Sequence, residues 1–101
     1  FDRYDFLALP SAQLFPFEKS LNNPEFINNN KIDTYHRYME VYTLSSLLGL
    51  PTMCIPVGFN NKGLPMGIQI IANFKEDNKI IDFAKSYEEI FNFSKFKPEL
   101  I

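Results

Sequence analysis

Two apolar runs joined by a short polar turn constrain the fold of this chain more than any other feature. Residues 52–57 and 66–72 are rich in the apolar residues that fill buried strands. Residues 60–63 between them read Asn-Asn-Lys-Gly, and Asn and Gly readily adopt the positive backbone dihedrals of a tight reversal. A link of about eight residues is too short for a parallel crossover, which needs about a dozen or more. The two runs therefore predict adjacent antiparallel strands.

The composition of these runs also predicts their place in the sheet. Gln69 is the one polar side chain between residues 66 and 72, which indicates a strand that is buried on both faces. Pro56 has no amide hydrogen, so we expect it at a strand end or at a bulge. A further apolar run at residues 6–9, followed by Pro10, predicts a short buried strand within residues 5–12.

Two helices are expected around this sheet. Asp33 or Thr34 is a suitable N-cap for a helix whose apolar residues form two stripes, so we expect burial on more than one side. Gly49 and then Pro51 end this helix. Residues 77–91 predict a surface helix with one charged face, which includes Glu88 and Glu89. The fold class predicted is α/β, with a mixed β-sheet flanked by helices.

The remaining segments give no regular pattern. Residues 13–31 predict a long irregular connection, and such a connection is more stable when it wraps over a larger body. Residues 93–101 are expected to form a tail. The chain opens at Phe1 without a Met, and apolar residues follow within a few positions. We therefore expect residues 1–101 to be a single segment of a larger domain, and the resemblance described below implies that it is the C-terminal fragment.

Composition excludes several classes of function. The chain has 10 basic and 12 acidic residues, so it lacks the positive surplus that binding to nucleic acid requires. Its apolar runs are far shorter than the roughly 20 residues of a membrane-spanning helix. Cys54 has no partner for an internal disulfide, and no Cys/His cluster has the spacing of a metal site. No cofactor is indicated, and a cytoplasmic location is the default expectation.

Five side chains are candidates for catalytic groups, and none is assigned. The sole histidine, His36, would have to meet Cys54 or one of the serines Ser11, Ser45 and Ser46 to form a nucleophile pair. We expect instead that His36 caps a helix or faces solvent, and that Cys54 is a small buried apolar residue. Adjacent serines near a helix end favour close packing. A thiol hydrolase that uses His36 and Cys54 stays an alternative.

Residues 38–71 (YMEVYTLSSLLGLPTMCIPVGFNNKGLPMGIQII) resemble the C-terminal part of the amidase-signature family. The similar motifs are Gly-Leu-Pro at 49–51, Pro-Val-Gly-Phe at 56–59 and Gly-Leu-Pro-Met-Gly-Ile-Gln at 63–69. Residues 1–13 are similar to a family strand that ends in a Pro-Ser or Pro-Thr turn. Residues 77–90 are similar to the last helix of the family. The resemblance is weakest between residues 13 and 31.

This resemblance implies a mixed sheet between helices and hydrolysis of carbon–nitrogen amide bonds without a cofactor. It also implies a Ser, cis-Ser, Lys triad, in which a neutral lysine deprotonates the bridging serine that activates the nucleophile. In the family these residues lie well upstream, and no residue of this chain matches them. The expected partners are a small-molecule amide and the remainder of the amidase chain. Open strand edges also allow a homo-oligomer.

The subclass and one rival hypothesis stay open. Many relatives in the family carry Asn where Ser46 stands, including the glutamine-hydrolysing subunit of tRNA-dependent amidotransferases. Ser46 therefore favours a stand-alone amidase that acts on small or aryl amides. The rival hypothesis is a complete, non-catalytic α/β module that binds a partner through its exposed sheet.

Overall fold

The polar turn at residues 60–63 joins the two longest strands of the protein. A computed structural model describes residues 1–99. In chain order its elements are β1 (Leu7–Pro10), β2 (Phe26–Ile27), β3 (Asn30–Lys31), α1 (Tyr35–Tyr38), α2 (Glu40–Leu48), β4 (Thr52–Phe59), β5 (Pro65–Ile71), α3 (Asp77–Phe91) and a 3-10 turn (Phe93–Lys95). No helix within residues 1–99 is both long enough and apolar enough to cross a bilayer.

Strand β5 is the centre of a three-stranded sheet with the order β1-β5-β4. Both neighbours pair with it in antiparallel direction, and Ile71 lies opposite Leu7 on one side and Thr52 on the other. The predicted α/β class and the predicted pairing of β4 with β5 are confirmed. Pro56 lies at the irregularity between Pro56 and Gly58, as its missing amide hydrogen predicts.

The reversal between β4 and β5 is fixed by one asparagine. The side-chain oxygen Oδ1 of Asn60 accepts hydrogen bonds from the amides of Lys62 and Leu64, each at 2.9 Å. Gly63 has a φ of 77°, a conformation that glycine adopts without steric cost. The predicted turn is therefore confirmed.

Helix α3 covers one face of the sheet and encloses the small core. The buried residues of this core are Ile55, Ile70, Ala72 and Ile80, with half-buried Phe6, Met53, Ile68, Phe83, Ala84 and Tyr87 around them. Tyr87 donates a hydrogen bond of 2.8 Å to the carbonyl of Pro56, next to the bulge. At the helix end, the amide of Ser94 donates to the carboxylate of Glu88, and this bond lowers the pKa of Glu88.

The opposite face of the sheet is tied to α2 and β1 by the buried side chain of Gln69. Its Nε2 donates to the carbonyls of Val41 at 2.7 Å and Pro10 at 3.0 Å. Ser45 Oγ lies 3.5 Å from Gln69 Oε1 and completes the set with a long hydrogen bond. Gln69 is only 3% exposed, and one amide group therefore links three elements.

The first predicted helix differs from expectation in its start and in its continuity. It forms two pieces that meet at Met39, whose φ of -97° and ψ of 0° interrupt the helix. Thr34 occupies the N-cap position without a side-chain hydrogen bond to the helix. Asp33 binds the guanidinium of Arg37 instead, at 3.1 and 3.2 Å, and this pairing lowers the pKa of Asp33. Of the two expected cap residues, Thr34 therefore has the predicted position, but the predicted side-chain hydrogen bond is absent from both.

Two further segments differ from expectation. Leu7 and Ala8 of β1 are exposed rather than buried, because β1 lies at an edge of the sheet and nothing in residues 1–99 covers it. The irregular connection contains the hairpin β2–β3. Its turn residues Asn28 and Asn29 have φ values of 48° and 63°, as a two-residue hairpin turn requires.

We expect Ile70→Asp to unfold the chain or to lower its free energy of unfolding by about 3 kcal/mol or more, because an unpaired carboxylate replaces a side chain that is 4% exposed. The control Glu89→Lys changes an exposed residue of α3 and shifts the free energy by no more than about 0.5 kcal/mol. Urea titration of both variants measures this, and equal losses would contradict the assigned core.

Gln69→Glu should destabilise the chain in a pH-dependent manner. A carboxylate cannot donate to the carbonyls of Val41 and Pro10, and burial opposes its charge. The pKa of the new carboxyl should thus be higher in the folded than in the unfolded chain. Stability is then greatest below the unfolded pKa of about 4.3 and is lost as the pH rises above it.

The control for this experiment is Gln69→Met, which removes the same hydrogen bonds without adding a charge. It should cost about 1–3 kcal/mol with no added dependence on pH. Urea titrations at pH 4 and pH 7.5 separate the two variants, each compared with the unchanged chain. A Gln69→Glu deficit that is the same at both pH values would show that Gln69 is not enclosed.

Candidate functional site

An apolar cleft of about 420 Å³ lies between the sheet and the segment that follows β1. One wall is formed by β4 and β5 around Cys54 and Gly67, and the other by residues 11–17 with Tyr38. The full lining is Ser11, Ala12, Leu14, Phe15, Pro16, Phe17, Tyr38, Cys54, Ile55, Pro56, Pro65, Met66 and Gly67. Because Cys54 pairs with Gln69 across the strands, the cleft lies on the sheet face that α2 covers.

Close approach of the two walls depends on Gly67. The amide of Ser11 donates a 3.1 Å hydrogen bond to the carbonyl of Gly67. A Cβ atom at position 67 would lie 2.9 Å from the carbonyl oxygen of Ile55 and 3.0 Å from Ser11 Oγ. Because Gly67 has no side chain, Ser11 can approach the sheet closely enough to form this backbone hydrogen bond.

Gln13 and Phe17 hold Tyr38 at the rim of the cleft. Gln13 Nε2 donates to the carbonyls of Arg37 and Tyr38 at 2.8 and 3.1 Å, so it binds the end of α1. The rings of Phe17 and Tyr38 meet edge to face with 6.0 Å between their centroids. The irregular segment thus forms one wall of the cleft, a role that its sequence pattern does not predict.

The cleft has little capacity for acid–base chemistry. Its lining contains no His, Lys, Asp or Glu within the described part of the chain. Burial raises the pKa of Tyr42, with a smaller contribution from Tyr38, which lines the cleft. The phenol of Tyr42 therefore stays neutral near pH 7. The cleft can surround an apolar group, but no base beside Ser11 or Cys54 activates either as a nucleophile.

The candidate catalytic residues are dispersed. His36 is exposed on α1, with its ring 5.9 Å from that of Tyr35, and within residues 1–99 its imidazole bonds neither a serine nor Cys54. Ser45 is buried against Gln69, whereas the exposed Ser46 donates to the carbonyl of Tyr42 at 3.1 Å. The geometry gives no support to a thiol or serine dyad with His36.

Cys54 differs from expectation, because its side chain is exposed rather than buried. It lies on β4, which is an edge strand of the sheet, and it opens into the cleft. Residues 1–99 also contain no group of three or more His, Cys, Asp and Glu side chains that could hold a metal ion.

Gly67→Ala should lower the free energy of unfolding by about 1–3 kcal/mol, because the new methyl group overlaps the backbone oxygen of Ile55. The double variant Ser11→Ala/Gly67→Ala removes the contact with Ser11 Oγ and should recover only a small part of the loss. Urea titrations of the two variants and of Ser11→Ala alone measure this. Full recovery in the double variant would show that the clash with the side chain of Ser11, and not the clash with the backbone of Ile55, causes the loss of stability.

The family model described as Amidase matches residues 1–81. No solved structure gives a significant match. One curated relative is a glutamyl-tRNA(Gln) amidotransferase subunit from Thermodesulfovibrio yellowstonii, 34% identical over 99% of this chain and 19% of its own length.

Two further relatives carry the same name. The protein from Trichodesmium erythraeum is 31% identical over 99% of this chain and 19% of its own length. The protein from Bordetella petrii is 38% identical over 71% of this chain and 14% of its own length. This chain thus spans less than one fifth of each relative. With most of its residues matched by the family model, the chain belongs to the Amidase family.

Proposed function

We propose that this chain forms the C-terminal part of an enzyme that hydrolyses carbon–nitrogen amide bonds. The main support for this proposal is the match of residues 1–81 to the Amidase family model. The catalytic residues lie, in this proposal, in polypeptide N-terminal to the chain. The cleft supports this division, because its lining offers hydroxyl, phenol and thiol groups but no basic side chain to activate them.

The role proposed for the chain is to build a wall of the substrate pocket. Binding pockets are commonly apolar, with a few polar groups that orient the ligand. The cleft fits this description, since Ser11, Tyr38 and Cys54 are set among Phe, Pro, Leu and Met side chains. The walls are held by backbone bonding to Gly67 and by the side chain of Gln13.

The amide of glutamine is the first candidate substrate, on the strength of the relatives' names. Ser46 favours a different subclass, but its hydroxyl bonds only Tyr42 of its own helix and does not line the cleft. The identity of residue 46 therefore does not decide which substrate the cleft would accept. The second candidate is an aryl amide, which the aromatic lining of Phe15, Phe17 and Tyr38 favours.

The proposal places the protein in the cytoplasm, in keeping with a single cysteine that has no partner for a disulfide. Its protein partner is the remainder of the amidase chain. The non-catalytic interaction module stays as the rival hypothesis, and an activity measurement on a longer polypeptide separates the two.

We expect the purified 101-residue chain to release no ammonia from glutamine or benzamide above the background of a mock purification. His36→Ala and Cys54→Ala should leave that background unchanged, since neither residue has a catalytic partner in the described structure. Turnover that either substitution abolishes would replace the proposal with a thiol hydrolase.

The decisive experiment uses the reading frame upstream of Phe1. We expect it to encode a Gly/Ser-rich segment and an earlier lysine, and the longer polypeptide should hydrolyse an amide. Replacement of the nucleophilic serine by alanine should abolish the activity. Comparison of glutamine with benzamide then decides the subclass. A start codon directly upstream of the Phe1 codon, or an intact longer protein without activity on either class of amide, would contradict the proposal.

A further inference from the structure

The outward side of the C-terminal half of α2 carries three leucines that nothing in residues 1–99 covers, whereas Glu40 and Thr43 near the helix start are exposed polar residues. Leu44, Leu47 and Leu48 are 43%, 84% and 59% exposed. Their spacing of three and four residues places them on one side of the helix. On the side toward the sheet, Ser45 is only 7% exposed and faces Gln69. A helix beside solvent normally has the reverse arrangement, with its apolar residues inside and its polar residues outside.

The helix cannot correct this arrangement by rotation about its axis. Gln69 binds the carbonyl of Val41, and Ser45 packs on the same amide. Gly49 ends the helix in the left-handed conformation with a φ of 61°, and Pro51 leads directly into β4. Rotation that buried the leucines would leave the buried amide of Gln69 without partners, and unsatisfied buried polar groups are costly.

We propose that this leucine face, formed by Leu44, Leu47 and Leu48, is the surface on which the catalytic part of the same polypeptide packs. The inference rests on the proposed function. The relatives are about five times as long as this chain, since the chain covers 19% of their length, so most of such a protein lies outside residues 1–101. A second layer over α2 would bury the side of the helix that residues 1–99 leave exposed.

A second copy of this chain fits the leucine face less well. Stable dimers bury about 800 Å² per partner, and three leucine side chains on a nine-residue helix offer much less than this area. A covalently connected segment meets the face at an effective concentration in the millimolar range, so a small apolar surface is sufficient. The occupant we infer is therefore part of the same polypeptide, with apolar side chains to match the leucines.

The first test compares two substitutions on α2 in the longer polypeptide. Leu47→Gln should lower its melting temperature by roughly 2–4 °C, because an amide is placed in an apolar contact. The control Ser46→Gln lies on the same helix but away from the leucine face, and it should change the melting temperature by about 1 °C or less. Equal shifts for the two variants would overturn the proposal.

The second test does not require a stability difference. Leu47→Cys and Ser46→Cys are prepared separately on a Cys54→Ala background, and the rate at which iodoacetamide modifies each new thiol is read by peptide mass spectrometry. In the longer polypeptide we expect position 47 to react at least about 10-fold more slowly than position 46, because packing restricts access to it. In the 101-residue chain the two rates should be similar.

Three further outcomes overturn the inference. These are equal labelling rates in the longer polypeptide, protection of position 47 in the 101-residue chain that grows with protein concentration, and an upstream reading frame that encodes no further domain. The second outcome would identify another copy as the occupant. Amide hydrolysis by the same preparation separates the two proposals, since an active protein with an accessible position 47 rejects the docking surface and retains the enzyme.

Discussion

The hydrogen bonds of the buried Gln69 amide determine how the elements of this protein are arranged. Its two N–H groups bind the end of β1 and the first turn of α2, and its oxygen lies beside Ser45. These groups come from distant parts of the chain, so one side chain fixes a strand edge and a helix against the central strand. Within residues 1–99 every enclosed side-chain nitrogen and oxygen has a hydrogen-bond partner, and the nitrogen and oxygen of Gln69 are among these satisfied atoms.

The alternation of side chains along β5 divides the protein into two unlike halves. Ile68 and Ile70 face α3, where the aromatic side chains of Phe83 and Tyr87 complete a small core. Gly67 and Gln69 face the opposite layer, where the first permits close backbone approach and the second bonds α2. The same strand therefore builds a self-contained core on one face and the cleft on the other.

Local chemistry allowed much of this fold to be predicted from the sequence. The reversal at Asn60, the bulge at Pro56 and the helix end at Gly49 follow from backbone preferences of single residues, and all three are present. Thr34 takes the N-cap position that was expected of Asp33 or Thr34, but neither side chain makes the capping hydrogen bond, because the Asp33 carboxylate pairs with Arg37 four residues later. The exposure of Cys54 could not be derived, because it depends on which strand is at the edge.

The candidate site was less predictable, since its walls meet through contacts distant in sequence. Ser11 and Gly67 are joined by a backbone hydrogen bond, and Gln13 binds the carbonyls at the end of α1. The cleft and the leucine face belong to the same layer, because Cys54 and Gln69 share the sheet face that α2 covers. Leu47 and Leu48 precede Thr52, which pairs with Ile71 at one end of β5, whereas the cleft is lined by Pro65 and Gly67 toward the other end.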